Sequence, residues 1–334
     1  MKTGTKILDV SAGDIRLHIA VAAEVLLKGG LVAFPTETVY GLGADASNAG
    51  AVEKVFEVKG RPSDNPLIVH IADVAQMYDI ARAVPEKARR LAETFWPGPL
   101  TLVVEHRGQI PAIVTAGLRT VAVRIPNHPV TLKLISALGR GIVGPSANIS
   151  GKPSSTTAQH VFDDLKGKID IIIDAGPTII GVESTVLDVT SDPPCILRPG
   201  GLDRKKIESI IGHVRTAASA DELLRSPGTR HRHYAPAARV ELLPEGDAQQ
   251  LMASVESYRK QRKSIGCIVH SLDTSGLQAE EIQRIRIEEY AQRLFELLRW
   301  FDERRVDVIV VESIPETGIG EAVMDRLRKA AERK

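Results

Sequence analysis

From Arg16 to Lys28 apolar residues recur at the spacing of one helix face (Ile19, Val21, Ala22, Val25, Leu26), and Gly29-Gly30 supplies a left-handed stop. LVAF (31–34) then reads as a buried strand. The alternation goes on to predict a helix near 48–58 with Asn48 as its N-cap, a strand at PLIVHI (66–71), a helix near 85–95 opened by Pro85, and strands at TLVVE (101–105) and VAVRI (121–125). A helix near 129–138, a strand at GIVG (141–144), a helix near 157–165 and strands near 169–173, 185–189 and 195–198 complete a mixed α/β domain. Around Thr216 the texture changes. Short polar segments lead into SPGTRHRHYAPAARV (226–240), and from Arg225 to Arg239 there are arginines and histidines but no acid. Beyond it, strands near 239–243, 265–270 and 306–311 alternate with helices near 247–262, 288–304 and 320–332, as in a small parallel sheet with crossover helices. The expected division is a domain over 1–214, a linker over 215–238 and a second domain over 239–334.

Composition narrows the function classes. The 334 residues carry a formal net charge of +1, of which +1 falls before residue 215 and 0 after it. Neither part has the diffuse basic field of a general nucleic-acid binder. Two cysteines, Cys195 and Cys267, cannot form a multi-disulfide framework or a four-thiolate zinc site, which points to a reducing compartment. The longest apolar runs, around Ile171 and Val308, are short and interrupted by Asp, and the N-terminus has no apolar stretch before Asp9. A cytoplasmic protein without membrane contact is expected.

Three nucleotide and hydrolase signatures fail when tested. In GPSANISGKPSS a Gly-x4-Gly-Lys-Ser/Thr loop breaks at Ser146 and at Pro153. TGIGEAV (317–323) has Val323 at the third glycine position of a dinucleotide loop, and a Gly-x-Ser-x-Gly elbow around Ser146 breaks at Asn148. More informative is FEVKGRPSDNPLIVH (56–70), which presents Lys59, Arg61, Ser63 and Asn65 on a Gly/Pro-broken loop. Taken by itself that segment reads equally well as a solvated turn; as a cradle, Lys offers phosphate a compact charge and Arg a planar fork. PTETVYGLG (35–43) clusters hydroxyls and glycines, and Arg124 ends an apolar strand where a cation needs an anionic partner or a route to solvent. GVESTVLD (181–188) and RPG (198–200) add Glu183, Ser184, Thr185 and Arg198 at further strand ends. Together these loops describe a concave site for an anionic, hydroxyl-rich ligand. They offer no Cys/His metal set, no paired carboxylates and no Ser/His/Asp order. His231 and His233 lie among arginines that disfavour a cation. The chemistry that fits is positioning and charge stabilisation, as in phosphoryl or nucleotidyl transfer, with Mg²⁺ sharing the phosphate load.

PTETVYGLG, KGRPSDNPLIVH, WPGPLTLV, VAVRIP, GPSANISGKPS, ESTVLD and RPGG, in this order, closely resemble the YrdC/YwlC family of threonylcarbamoyl-AMP synthases over about residues 7–212. SPGTRHRHYAP and PETGIGEAVMDRLRKAA resemble the linker and Rossmann-like C-terminal domain of the family's longer form. The resemblance implies a twisted, open, mixed α/β sheet with a large concave cavity, joined to a small parallel α/β domain. It also implies a reaction in which L-threonine, bicarbonate or CO₂, and ATP give threonylcarbamoyl-AMP and pyrophosphate. The product would pass to a separate transferase machinery that modifies the tRNA adenosine beside the anticodon.

Carried to this chain, the resemblance puts threonine among Thr38, His70, Arg124 and Ser184, with Arg124 as partner of the carboxylate. ATP would lie over Lys59, Arg61, Asn65, Thr120, Ser146, Ser154 and Arg198, where Lys59 and Arg61 carry the catalytic charge and Mg²⁺ is held mainly by phosphates. Tyr234 would close the nucleotide pocket from the linker, which would act as a lid against water. Two competing classes are an RNA-binding module, disfavoured by near-neutral charge and few aromatics, and a carbamoyl-transfer module of the kind found in much larger chains.

Overall fold

The helix expected after Asp14 is α1 (Ile15–Leu27), and a strand that the apolar pattern does not announce, β1 (Lys6–Asp9), precedes it. Asp14 caps α1 by accepting the amide of Arg16, and the helix buries Ile19, Ala22, Ala23 and Leu26. The computed structural model describes residues 4–226 and 234–332. After α1 come β2 (Val32–Phe34), β3 (Gly41–Asp45), α2 (Ala49–Lys59), β4 (Ile68–His70), α3 (Val74–Ile80), α4 (Glu86–Phe95), β5 (Leu100–Glu105), α5 (Ala112–Thr115) and β6 (Thr120–Arg124). There follow α6 (Pro129–Leu138), β7 (Ile142–Val143), α7 (Ala158–Leu165), β8 (Ile171–Asp174), β9 (Thr185–Asp188), β10 (Cys195–Arg198), α8 (Arg204–Ile211), β11 (Arg215–Thr216) and α9 (Ala220–Leu223). Asn48 caps α2 as expected, its side chain accepting the amide of Ala51.

These strands form one mixed sheet ordered β1-β8-β2-β3-β7-β4-β6-β5-β9-β10-β11. Successive side chains of a strand point to opposite faces. Ala33 of β2 therefore joins one buried cluster with Leu42, Val69, Leu102 and Val123, while Val32 and Phe34 join another with Leu26, Leu134 and Ile171. Pairing at the centre sets up the site. β4 and β6 are parallel with His70 opposite Arg124, so both residues stand at the carboxyl ends of neighbouring strands on one face. β5 runs antiparallel to β6 and parallel to β9, with Leu100 opposite Thr185.

Residues 4–150 and 154–226 form this first unit, and residues 151–153 and 234–332 form a second. The second contains β12 (Arg239–Leu243), α10 (Ala248–Lys260), β13 (Ile265–Val269), β14 (Glu281–Arg284), α11 (Ile287–Glu303), β15 (Val308–Glu312) and α12 (Ile319–Ala331). Its sheet, ordered β12-β15-β13-β14, is parallel throughout. Glu312, the last residue of β15, is fully buried and gathers the loops that leave the flanking strands. Its carboxylate accepts the amides of His270 (2.7 Å), Ser271 (3.1 Å), Leu272 (3.3 Å) and Gly246 (3.3 Å), and the Ser271 hydroxyl. Cys195, in β10, and Cys267, in β13, are both buried free thiols. No helix among the described residues is long and apolar enough to cross a membrane.

Candidate functional site

The loops that leave the sheet at its centre are bonded to one another through their backbones. Tyr40 donates its amide to Ser155 (2.9 Å) and accepts that of Ala147 (2.8 Å), while Leu42 donates to Pro145 (2.8 Å). Across the next gap, Ile180 donates to the carbonyl of Glu37 (2.8 Å), Gly181 to that of Thr38 (3.1 Å), and Thr178 to Thr156 (2.9 Å). The segments 35–43, 144–150 with 154–156, and 178–184 thus form a single mesh that follows β2 and β7 and leads into β9. Thr36 tightens its first turn, its hydroxyl accepting the amides of Thr38 (3.1 Å) and Val39 (3.2 Å).

Thr38, His70 and Arg124, all expected to meet threonine, stand together here. Arg124 donates from Nη1 to Thr38 Oγ1 (2.9 Å) and from Nε to the carbonyl of Gly98 (3.1 Å), and its Nη2 lies 2.6 Å from Glu37 Oε2. The anionic partner that a buried arginine at a strand end requires is therefore Glu37. His70 lies beside Arg124 in register and meets the Phe34 ring edge-on, with centroids 5.5 Å apart. Burial and the adjacent Arg124 charge hold its imidazole far below the usual histidine range, so it is neutral at physiological pH. A Cβ on Gly144 would come within 2.7 Å of His70 Nδ1, so only glycine admits the ring in this position. Ser184, the fourth expected residue, makes a different contact. Its hydroxyl pairs with that of Thr101 (2.7 Å), and Arg198 reaches its carbonyl (3.0 Å) and hydroxyl (3.3 Å) from Nη2. Gly200 explains the RPGG turn that brings Arg198 there, since a Cβ would lie 2.3 Å from the backbone of Ser184 and Thr185.

The residues expected around ATP divide into five places. Lys59 ends α2, where Gly60 turns left-handed at φ 60°, and its Nζ donates to the carbonyls of Ser146 (2.6 Å) and Asn148 (2.5 Å). Lys59 therefore binds the loop that presents half-buried Ser146. Arg61 reaches the carbonyls of Pro66 (3.0 Å) and Asn65 (3.4 Å), folding the basic loop back on itself, with Asn65 fully buried. Ser154 donates to Glu183 Oε1 (2.5 Å), one turn from Ser184 and Arg198. Thr120 stands apart from Arg124 at the other end of β6, opposite Glu105, about 13 Å away by strand rise. Tyr234 belongs to the second unit, where it stacks on Phe295 at 5.4 Å beneath the Arg326 guanidinium; residues 227–233 of the expected lid lie outside the described residues.

Sequence reasoning passed over Glu37, Thr101 and Gly144. Glu37 sat inside a quoted motif, and the demand of Arg124 for an anion was the signal that could have singled it out. No group of three or more His, Cys, Asp or Glu side chains able to hold a metal ion occurs among the described residues. The nearby carboxylates are engaged, Glu37 with Arg124 and Glu183 with Ser154. The residues of this unit thus provide a buried arginine, a neutral imidazole, hydroxyls and three further buried cations, Lys59, Arg61 and Arg198, a set suited to holding an anionic substrate in place.

Known proteins resemble this chain over nearly its whole length. Residues 24–200 match the Sua5/YciO/YrdC family, described as telomere recombination, and residues 202–332 match the threonylcarbamoyl-AMP synthase C-terminal domain. The threonylcarbamoyl-AMP synthase of Pyrococcus abyssi is 48% identical over 98% of both chains, and that of Bacillus subtilis is 48% identical over 94% of this chain and 93% of its own. The crystal structure of P. abyssi Sua5 complexed with L-threonine superposes with a TM-score of 0.92 at 47% identity, covering 98% of each chain. Since both of its parts match successive family models and the identity extends over nearly its whole length, this chain belongs to the threonylcarbamoyl-AMP synthase family in its two-domain form.

Proposed function

We propose that this chain makes L-threonylcarbamoyl-AMP and pyrophosphate from L-threonine, bicarbonate or CO₂, and ATP, in the cytoplasm, and that the product supplies a tRNA threonylcarbamoyl transferase. The observation that carries the reading is Arg124, buried at a strand end between Thr38 and Glu37 and beside the neutral imidazole of His70. Its planar fork suits the carboxylate of an amino acid, and an uncharged imidazole beside Arg124 can read a hydroxyl as donor or acceptor.

In the proposed reaction the threonine amine, as its free base, adds to CO₂ and gives up one proton to solvent to become a carbamate, and a carbamate oxygen attacks the α-phosphorus of ATP. The bond from that phosphorus to the bridging oxygen breaks, and pyrophosphate leaves. No protein nucleophile is needed, so the contribution of the chain is placement and charge. Lys59 acts by holding the carbonyls of residues 146 and 148, which sets Ser146 toward the nucleotide, while Arg61, Asn65, Ser154 and Arg198 frame the phosphates. Mg²⁺ arrives on the ATP phosphates as part of the substrate.

The test is pyrophosphate release from Mg-ATP and bicarbonate with and without L-threonine, comparing wild type with Arg124→Ala. Release should depend on threonine and fall by about 100-fold or more in the variant, since the charged contact to the carboxylate is lost. Threonine-independent release, or a fully active variant, refutes the reading.

A further inference from the structure

We propose that Glu37 receives the α-ammonium group of the amino-acid substrate, so that Arg124 and Glu37 together read a zwitterion and not a carboxylate alone. The inference rests on Arg124 as the carboxylate anchor.

Glu37 is as deep as the residues around it, 2% exposed against 3% for Arg124 and 2% for His70. Its Oε2 lies 2.6 Å from Arg124 Nη2, yet neither carboxylate oxygen accepts a hydrogen bond. Buried carboxylate oxygens ordinarily collect donors at several lone-pair positions, and leaving them empty is costly. Among the described residues no donor meets either oxygen in hydrogen-bond geometry. Thr36 and Thr38 hydroxyls pair with each other and with the Val39 carbonyl and Arg124, the Thr38 amide donates to Thr36 Oγ1, and the carbonyls of Glu37 and Thr38 accept from Ile180 and Gly181. The imidazole facing Glu37 is that of His128. Burial holds it below the usual histidine range against the pull of the Glu37 charge, and its Nδ1 is also without a partner. A small cation with several N–H groups would satisfy both oxygens.

The charge balance agrees. A guanidinium already paired with a carboxylate presents little net field to a lone anion. A zwitterion laid antiparallel to the pair exchanges both charges at once: its carboxylate takes Arg124 and its ammonium takes Glu37. Neither protein charge is stranded at any stage, which a carboxylate lacking an amine cannot achieve.

The competing role for Glu37 is that of a strut that only aims Arg124, and the two roles separate by ligand. Calorimetric titration of the full-length protein with L-threonine and with 3-hydroxybutyrate, which keeps the carboxylate and hydroxyl but lacks the amine, is carried out on wild type and on Glu37→Gln. The variant should bind L-threonine about 10- to 100-fold more weakly, the scale of one charged hydrogen bond, while its affinity for 3-hydroxybutyrate holds or rises. An equal loss for both ligands makes Glu37 a strut and overturns the proposal, as does unchanged threonine binding. Failure of the wild type to bind threonine, or full binding by Arg124→Ala, strikes at the anchor reading instead, and with it this inference. If Glu37→Gln does not fold, Glu37→Asp keeps the charge but withdraws it by one methylene; it should weaken threonine and spare 3-hydroxybutyrate, and parallel loss again overturns the proposal.

Discussion

At the scale of single residues, the chemistry of the site lies in which polar groups are buried and in how they are paired. A hydroxyl read by buried polar groups is discriminated far more sharply than a methyl group, because the analogue that lacks the hydroxyl leaves those groups unpaired. With Thr38 and neutral His70 as the readers, replacing threonine by serine removes one methyl and should cost about 1–3 kcal/mol, whereas valine should be turned over about 10⁴-fold less well. Competition kinetics of pyrophosphate release with the three amino acids measures both ratios, and equal turnover of valine would show that the hydroxyl is not read. Arg124 was legible from the sequence because a cation closing an apolar strand has to be explained. Glu37 was not, since its partner lies on β6, far along the chain, and only the fold of the loop after β2 brings the two charges together. Lys59 and Arg61 were legible as cations, but not their grip on backbone carbonyls, which for Lys59 depends on a loop almost ninety residues further on and for Arg61 on the way its own loop folds back.

Among the elements, those with a strong apolar period were readable and those whose signal is polar or steric were not. β3 contains two glycines in YGLGAD, a composition that argues against a strand. Its reason is the neighbour: a Cβ on Gly41 would come within 2.6 Å of the Phe34 ring, so the glycines make room for an aromatic side chain across the strand pair. α3 begins with a capping box, Asp73 with Gln76, which the sequence displays but an apolar-period reading ignores. β1 and β14 are edge strands, the first mostly exposed and the second only partly buried, and carry no buried run. In the second unit, β15 was expected, yet nothing in its apolar run singles out its last residue as the tie between loops. Burial opposes the charge of Glu312, but the Ser271 hydroxyl and the amides of His270, Ser271 and Leu272 outweigh it and hold its carboxyl below 4.5. Such a group stabilises the fold fully above its unfolded pKa, and that contribution is lost as pH falls through the lower folded value. Glu312→Gln should therefore cost about 1–3 kcal/mol at pH 7 and much less near pH 3, read from urea midpoints at the two pH values. A gap that does not narrow on acidification would show that the charge is immaterial.

For the molecule as a whole, the near-zero net charge remains the strongest statement about partners. Non-specific affinity for nucleic acid comes from neutralised phosphates, each of which steepens the dependence on salt. With a net charge of +1 and a basic run confined to residues 225–239, the logarithm of tRNA affinity should fall against the logarithm of salt with a slope shallower than about −3. A much steeper slope in a protein that consumes no ATP would favour an RNA-binding module over a synthase. The mixed sheet, the smaller parallel sheet and the change of texture between them were all visible in the periodicity. The eleven-strand order was not, because it depends on pairings between strands far apart in the chain, β1 with β8 and β5 with β9 among them.

Each of the two units also keeps one cysteine in its interior, Cys195 among Ile68, Val103 and Leu197, and Cys267 among Leu251, Val269 and Val310. Burial raises the thiol of Cys195 and pushes that of Cys267 up to about 12, so neither offers a thiolate to an alkylating reagent while its unit is closed. The chain therefore carries a native clock in each half. Pulses of reagent followed by peptide mass measurement time the opening of the large sheet at Cys195 and of the small one at Cys267 within the same sample, with no label introduced.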